Sequence, residues 1–212
     1  MLKKYSILFG IIVAITLLVI ATTFYPGGSL HDKNATGWSW RYNFISNLFG
    51  TKAVNGMDNP SRLWAVGGMF FLSISFMLFF IHFAKKIPAK GSSNIIKYFG
   101  IVGMLCVFLV VTPYHDIMIT ISSTLVLVSI FYITIFVLKS TLLLFKILCI
   151  ACMLVMYCAL YMYGSGNFLT LLPTLQKTAL VIAVVWVLCL HYFTKADDFM
   201  ATKEKRTERM GE

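Results

Sequence analysis

Long apolar runs alternate with shorter polar segments along almost the whole chain. About 20 consecutive apolar residues are enough for a helix to cross a hydrocarbon core of roughly 30 Å. The pattern predicts transmembrane spans at Tyr5–Tyr25, Leu63–Ala84, Ile95–Tyr114, Ile117–Leu138, Leu142–Tyr163 and Thr178–Phe193. We therefore expect an all-α membrane protein in which residues 1–193 form one bundle of six transmembrane helices, followed by a charged tail at residues 194–212.

One polar segment, residues 26–62, is much longer than the others and separates the first two spans. It contains prolines, glycines, tryptophans and many hydrogen-bonding side chains, and it is not of low complexity. Loops of this length inside a compact domain are uncommon and often functional. The composition therefore predicts a long ordered loop between helices 1 and 2 that caps one end of the bundle.

The overall composition agrees with a membrane protein and excludes an ordinary soluble domain. Hydrophobic residues make up 59% of the chain and charged residues only 12%, whereas soluble domains average about 25% charged residues. The mean hydropathy is +0.84. In this setting the net charge of +10 indicates positive residues that flank membrane spans, so membrane lipids are the expected partners and nucleic acid is not.

The distribution of lysine and arginine predicts the orientation of the bundle. With the N-terminus inside, the inner segments hold 13 of the 18 Lys and Arg residues and the outer segments hold five. Short cytoplasmic loops carry the excess of positive charge. We therefore expect a multi-pass protein of the cell membrane, the inner one if a bacterium has two, with the N-terminus and C-terminus cytoplasmic and residues 26–62 as an outer loop.

The start of the fourth span carries the first candidate site, His115 and Asp116, which we consider as candidate catalytic residues. Asp116, Thr120 and Ser123 are spaced i, i+4 and i+7, which predicts one helix face turned into the bundle. His115 could act as a base or ligand. Because adjacent helix residues do not face the same way, the two side chains are predicted to serve different partners. A helix cap with interhelical hydrogen bonds is the alternative for Asp116.

A second group of candidate residues lies on the same predicted side of the membrane, in the long loop and before the sixth span. These candidate binding residues are ionisable or hydrogen-bonding: His31, Asp32, Arg41, Asn43, Ser46, Asn59 and Lys177. Asn, Ser and Asp are also the residues that build turns and helix caps. Turn chemistry therefore remains the alternative interpretation for the loop residues.

Cysteine and histidine residues inside the spans form two further patterns. Cys149 and Cys152 make a C-x-x-C, which in a soluble protein often indicates redox or metal chemistry, but cysteine is also a common buried residue. His82 and His191 are predicted at matching depth, as axial haem ligands would be, although histidines are also common at the headgroup level. The patterns do not decide whether these sets bind anything, and we predict neither a metal nor a cofactor.

Three short motifs resemble a known family. Tyr25–Gly28 (YPGG), Asn43–Leu48 (NFISNL) and Asn59–Pro60 ahead of the second span resemble the prokaryotic membrane family catalogued as domain of unknown function 998. That family is distantly similar to the DRAM/Sfk-type six-span membrane proteins, which include a remodeller of lipid anchors. The resemblance implies a six-span layout with a first outer loop. Where the family pattern has an aspartate this chain has Asn47, which argues against acid–base chemistry at that position.

The expected function combines the membrane bundle with the polar groups on its outer side. We expect binding or processing of a lipid-like amphiphile at the outer membrane face. The alternative is a non-catalytic membrane scaffold, sensor or partner subunit. The sequence leaves open whether the protein is an enzyme, which ligand it takes and in which oligomeric state it works.

Overall fold

Within residues 2–200 the protein forms six long helices and one short 3-10 helix. The computed structural model describes the backbone of residues 2–200 and the side chains of residues 5–200. The helices are α1 (Leu2–Thr23), α2 (Ser61–Ala84), α3 (Lys90–Leu109), α4 (His115–Lys139), α5 (Leu143–Ser165) and α6 (Leu172–Phe193), and the 3-10 helix is Ile45–Phe49. All six long helices are long and apolar enough to cross a membrane. The prediction of an all-helical, multi-pass membrane bundle is confirmed to this extent.

Two helices begin well before their predicted starts. The third was expected to begin at Ile95 and begins at Lys90, and the sixth was expected to begin at Thr178 and begins at Leu172. Pro173 lies in the first turn of α6, where its fixed φ and its missing N–H are tolerated. The prediction was wrong at both starts because it began each span at the first residue of the apolar run. A helix can begin earlier, in polar residues that find hydrogen-bond partners outside the lipid.

Consecutive helices pack against one another, and α6 also packs against α2 and α1. Helices α2 to α6 therefore form a ring, with α1 outside it against α2 and α6. Glycine allows close approach at two of these crossings. A Cβ at Gly68 would lie 3.1 Å from the carbonyl oxygen of Ala14 in α1, and a Cβ at Gly100 would overlap Phe80 in α2. Small residues at such crossings let transmembrane helices come close together.

One end of the bundle, here called the loop end, carries the connections at residues 24–60, 110–114 and 166–171. Asparagine side chains hold the long loop together there. Asn59 Nδ2 donates to the carbonyl oxygens of Asn47, Leu48 and Gly50 at 3.2, 3.3 and 2.9 Å, and Asn43 Nδ2 donates to that of Gly28 at 2.7 Å. These bonds satisfy backbone carbonyls that a buried loop would otherwise leave unpaired.

The loop is fastened to the first turns of α6 by three polar side chains. Lys177 Nζ donates to the Asn43 carbonyl at 2.6 Å and to that of Pro173 at 2.7 Å. The Ile45 backbone N–H donates to Gln176 Oε1 at 2.9 Å, and Thr174 Oγ1 donates to the Arg41 carbonyl at 3.3 Å. The 3-10 helix is thereby fixed beside α6, over the opening of the ring.

At the opposite end of the bundle, the first residues of the charged tail pack onto the helices. Phe199 is buried and its ring contacts that of Phe83 at a centroid distance of 5.5 Å. Lys86 Nζ donates to the last carbonyls of α6, those of Leu190 and His191, and to that of Thr194. Burial lowers the pKa of Lys86 to about 8, so the ammonium that makes these bonds persists at neutral pH. Residues 201–212 of the predicted tail lie outside the described residues.

Candidate functional site

A cavity of about 460 Å³ lies inside the ring of α2 to α6 and below the 3-10 helix. Its walls are mainly apolar, with Phe80, Ile130 and Trp186 among the residues deepest from the loop end. The polar lining side chains at the loop end are those of Ser46, His115, Tyr163 and Gln176, and three serines, Ser73, Ser122 and Ser123, lie further along the walls. The cavity therefore has a polar end and a long apolar body.

The lining positions on α4 show how far the cavity reaches into the bundle. They extend from His115 to Ile130, and at a rise of 1.5 Å per residue this is about 22 Å along the helix axis. The hydrocarbon core of a bilayer is roughly 30 Å thick. The cavity is therefore shorter than the hydrocarbon core is thick, but it is deeper than the acyl region of a single leaflet.

The inward face of α4 differs from the predicted one. Asp116 and Thr120 are exposed, and Thr120 Oγ1 donates to the carbonyl oxygen of Asp116 in its own helix. The lining residues are instead His115, Ile119, Ser122 and Val126, with Ser123 beside them. The prediction was wrong because a threonine hydroxyl can satisfy itself on the preceding turn, so its polarity does not require it to face the bundle.

His115 and Asp116 bond to each other, which corrects the prediction that they serve different partners. Their atoms Nδ1 and Oδ1 lie 2.9 Å apart. Helix geometry normally keeps adjacent side chains apart, but these are the first two residues of α4, with no preceding turn to restrict their rotamers. Tyr163 of α5 donates its hydroxyl to the same Asp116 oxygen at 2.7 Å. The carboxylate therefore ties α4 to α5 at the loop end of the cavity.

The second ring nitrogen of His115 and the hydroxyl of Ser73 are the buried polar atoms without a partner that belong to described lining residues. Nε2 is buried and has no hydrogen-bond partner within residues 5–200, while His115 is part of the cavity lining. A carboxylate can only accept hydrogen bonds, so Nδ1 carries the proton in the bond to Asp116. Because Nε2 has almost no accessible surface, other atoms separate it from the cavity, and His115 lines the cavity with the rest of its side chain.

The structure brings only part of the predicted binding set to the cavity. Ser46 lines it, whereas Asn43, Asn59 and Lys177 hold the loop together or fasten it to α6.

The remaining loop residues of the set lie on the outer surface of the loop. His31 stacks on Tyr42 with ring centroids 4.6 Å apart, and the Arg41 guanidinium lies 5.3 Å from the same ring. Asp32 Oδ1 accepts from the Asn34 backbone N–H, as in an Asx turn. None of these three side chains lines the cavity.

Sequence reasoning did not select Tyr163 and Gln176. The apolar pattern ends the fifth predicted span at Tyr163 and places Gln176 in the loop before the sixth span, whereas Gln176 lies in α6. The signal that could have found Gln176 is its position directly before Lys177 and the last apolar run. Polar residues there, near the membrane boundary, need partners, and only the loop could supply them. The contact between Tyr163 and Asp116 joins two helices and has no local signature.

The Cys and His patterns at the other end have ordinary packing roles in the structure. Cys149 and Cys152 are buried, and Trp186 Nε1 donates to Cys149 Sγ at 3.2 Å. The rings of His82 and His191 stack at a centroid distance of 5.5 Å and an angle of 25°, an arrangement without room for a haem plane between them. In the part of the chain that the structure describes, no group of three or more His, Cys, Asp or Glu residues could hold a metal ion.

Comparison with known proteins adds no assignment to this geometry. The resemblance to the family of unknown function 998 rests on short motifs in the loop and stays a prediction. No protein-family model, curated protein or solved structure matches the chain.

Proposed function

We propose that the protein binds a lipid-like amphiphile in the cavity, with the acyl chain among the apolar walls and the polar head beside His115 and Gln176. The observation that carries this proposal is the 460 Å³ apolar cavity with its ionisable lining at one end. Pockets for small organic ligands commonly measure about 300–1,000 Å³ and combine apolar walls with a few polar groups. An amphiphile matches both parts of the cavity.

The polar end favours an amphiphile over a fully apolar ligand. A hydrocarbon alone would offer no hydrogen bond to the polar lining side chains at the loop end, among them Ser46 and Gln176, and a buried polar group without a hydrogen bond costs about 1–3 kcal/mol. A hydroxyl or ester headgroup at the loop end supplies a partner. The surrounding bilayer is the natural source of such a ligand, since the described residues include six helices long and apolar enough to cross a membrane.

The loop end is proposed to face the outside of the cell, because most positive residues flank the other end. In a chain whose five cysteines are replaced by alanine, new cysteines at Asn34 and Lys52 should react with an impermeant thiol reagent in intact cells. Lys90 is the first residue of α3 and lies at the opposite end of the bundle. A cysteine at this position should react only after the cells are lysed. The reverse labelling pattern would place the loop end in the cytoplasm.

Filling the cavity should displace the amphiphile. Ala183 of α6 lines the cavity, so in Ala183→Phe the ring occupies space that the acyl chain needs. We expect lipid that co-purifies with the wild type, extracted and quantified by mass spectrometry, to fall at least about tenfold, as a loss of about 1.4 kcal/mol in binding would give.

Val181 provides the matched control on the same helix. Its side chain is 63% exposed on the outside of the bundle, so Val181→Phe adds an aromatic ring without entering the cavity. Lipid retention in Val181→Phe should equal that of the wild type. Equal retention in both variants, with both folded, would contradict the proposed function.

A further inference from the structure

We propose that the cavity selects amphiphiles with an uncharged, hydroxyl-bearing head, such as a monoacylglycerol or a long-chain alcohol, over those with a phosphate, carboxylate or ammonium head. This inference rests on the proposed function and names the class of ligand that the cavity takes. Three features carry it: the lining has no charged counter-ion, the cations of the loop end are placed elsewhere, and the free polar groups of the lining are neutral.

The described residues that line the cavity include no lysine, arginine, aspartate or glutamate. A buried ion without a counter-charge is far more costly than a buried neutral polar group, because it loses its hydration and gains no partner of opposite charge. A phosphate or carboxylate head would need a cation in the lining, and an ammonium head would need a carboxylate there. The described lining offers neither, so an uncharged head enters the cavity at the lowest cost.

His115 does not supply the missing counter-charge for an anionic head. Its Nδ1 lies 2.9 Å from Asp116 Oδ1, so this carboxylate would balance a positive charge on the ring, and Nε2 has almost no accessible surface. Asp116 in turn is a poor counter-ion for an ammonium head, because it does not line the cavity and its side chain is 85% exposed. Water weakens the field of a charge in such a position.

The lysines and arginines of the loop end lie outside the cavity lining. Four of them are exposed: Lys33, Arg41, Lys52 and Arg62. The fifth, Lys177, is partly buried, but its Nζ donates to the carbonyl oxygens of Asn43 and Pro173 at 2.6 and 2.7 Å. Its positive charge is therefore held between the loop and α6, where it fastens the loop.

Ser46 and Gln176 provide neutral hydrogen-bonding groups at the loop end of the cavity. Gln176 Oε1 accepts from the Ile45 backbone N–H at 2.9 Å, which places the amide beside the residue that precedes Ser46 and leaves its NH₂ group to donate. The Ser46 hydroxyl makes no hydrogen bond within residues 5–200 and is not among the buried polar atoms. A hydroxyl both donates and accepts, so a hydroxyl-bearing head can satisfy both side chains without a counter-charge.

The test compares three probes that share a dodecyl chain, with the full-length protein in lipid nanodiscs. 1-O-Dodecylglycerol has an uncharged diol head, dodecyl phosphate an anionic head, and dodecylamine a cationic head at neutral pH. Tritiated 1-O-dodecylglycerol is bound first and each unlabelled probe then competes, with Ala183→Phe nanodiscs giving the background of partition into the lipid. We expect unlabelled 1-O-dodecylglycerol to compete at a concentration at least about tenfold lower than either charged probe, which corresponds to about 1.4 kcal/mol.

Ser46→Lys should shift the selectivity by adding a cation to the lining. Its ammonium supplies the counter-charge that the wild type lacks, so the affinity for dodecyl phosphate relative to 1-O-dodecylglycerol should rise at least about tenfold. Asn34→Lys is the matched control, since it adds the same charge to an exposed position of the same loop. Its selectivity should equal that of the wild type. The wild-type comparison needs no variant and decides the inference even if Ser46→Lys does not fold.

The three probes distinguish the selectivity from the proposed function. If dodecyl phosphate or dodecylamine bound to the wild type as tightly as 1-O-dodecylglycerol, the selectivity would be overturned and the proposed function would stand. If none of the probes bound above the Ala183→Phe background, both would be overturned. A folded Ser46→Lys with the selectivity of the wild type would also overturn the inference, since charge in the lining would then not control the choice of head.

Discussion

Replacing Asn59 with leucine should lower the free energy of unfolding by about 3 kcal/mol, because several buried groups lose their partner at once. Asn59 donates to three carbonyls of the 3-10 helix region and its Oδ1 accepts from the Ser61 hydroxyl. Leucine has a similar size and no polar atoms. For a protein of this length, about 3 kcal/mol corresponds to a midpoint of thermal unfolding roughly 6–12 °C lower, which a thermal scan in detergent would measure.

Asn34→Leu is the matched control for this prediction. Asn34 lies in the same loop and is exposed, so the same substitution changes the midpoint little. The loop also covers the loop end of the cavity, so Asn59→Leu should release bound amphiphile faster than Asn34→Leu does. Equal midpoints in the two variants would show that the loop contributes little to the stability of the bundle.

The YPGG and NFISNL motifs contribute residues that hold the long loop together. The Tyr25 hydroxyl accepts from the Val54 backbone N–H at 3.1 Å, and Asn43 reaches the Gly28 carbonyl at 2.7 Å. Asn47 Oδ1 accepts from the Phe44 N–H at 2.7 Å. Gly28 has φ +81° and packs directly on residues 54 and 55, a position that only glycine fills without strain. Tyr25, Gly28, Asn43 and Asn47 thus hold the loop together, whereas Phe44, Ile45 and Ser46 of the second motif line the cavity.

The number of helices was predictable because span length follows directly from apolar run length. Helix ends were less predictable. Lys90 to Asn94 and Leu172 to Lys177 extend α3 and α6 beyond the apolar runs, since polar residues at a membrane boundary can remain helical when water or a loop satisfies them. Orientation rests on charge counting alone and is tested by the labelling experiment above.

The site was predictable only in part, because its geometry depends on contacts between distant segments. His115 was recognisable as an ionisable residue at the end of a span. Its bond to Asp116 depends on both residues being in the first turn, and the bond from Tyr163 to Asp116 joins residues far apart in sequence. A single sequence carries no signal for such a pair. The face of α4 that lines the cavity is shifted by one residue from the predicted face. Helical periodicity of polar residues does not identify the inward face when a hydroxyl, such as that of Thr120, bonds to a carbonyl of its own helix.

Replacing Gly100 with leucine should have two effects with one cause: it should destabilise the bundle and narrow the deep end of the cavity. A Cβ at Gly100 would overlap the base of the Phe80 side chain, which is fully buried and lines the cavity. The Phe80 ring cannot rotate away freely, because Phe79 packs against it at a centroid distance of 5.3 Å. Overpacking of a core typically costs about 1–3 kcal/mol, occasionally more, and here the displaced ring would move toward the acyl chain.

Gly91→Leu in the same helix separates this packing effect from the intrinsic effect of the substitution. A Cβ at Gly91 meets no atom within 4 Å, and leucine favours a helix over glycine by somewhat under 1 kcal/mol, so Gly91→Leu should be neutral or slightly stabilising. Gly100→Leu should unfold at a lower temperature and retain less lipid after purification, whereas Gly91→Leu should match the wild type in lipid content. If Gly100→Leu lost stability but kept its full lipid content, the ligand would lie away from Phe80 and only the loop end of the cavity would be occupied.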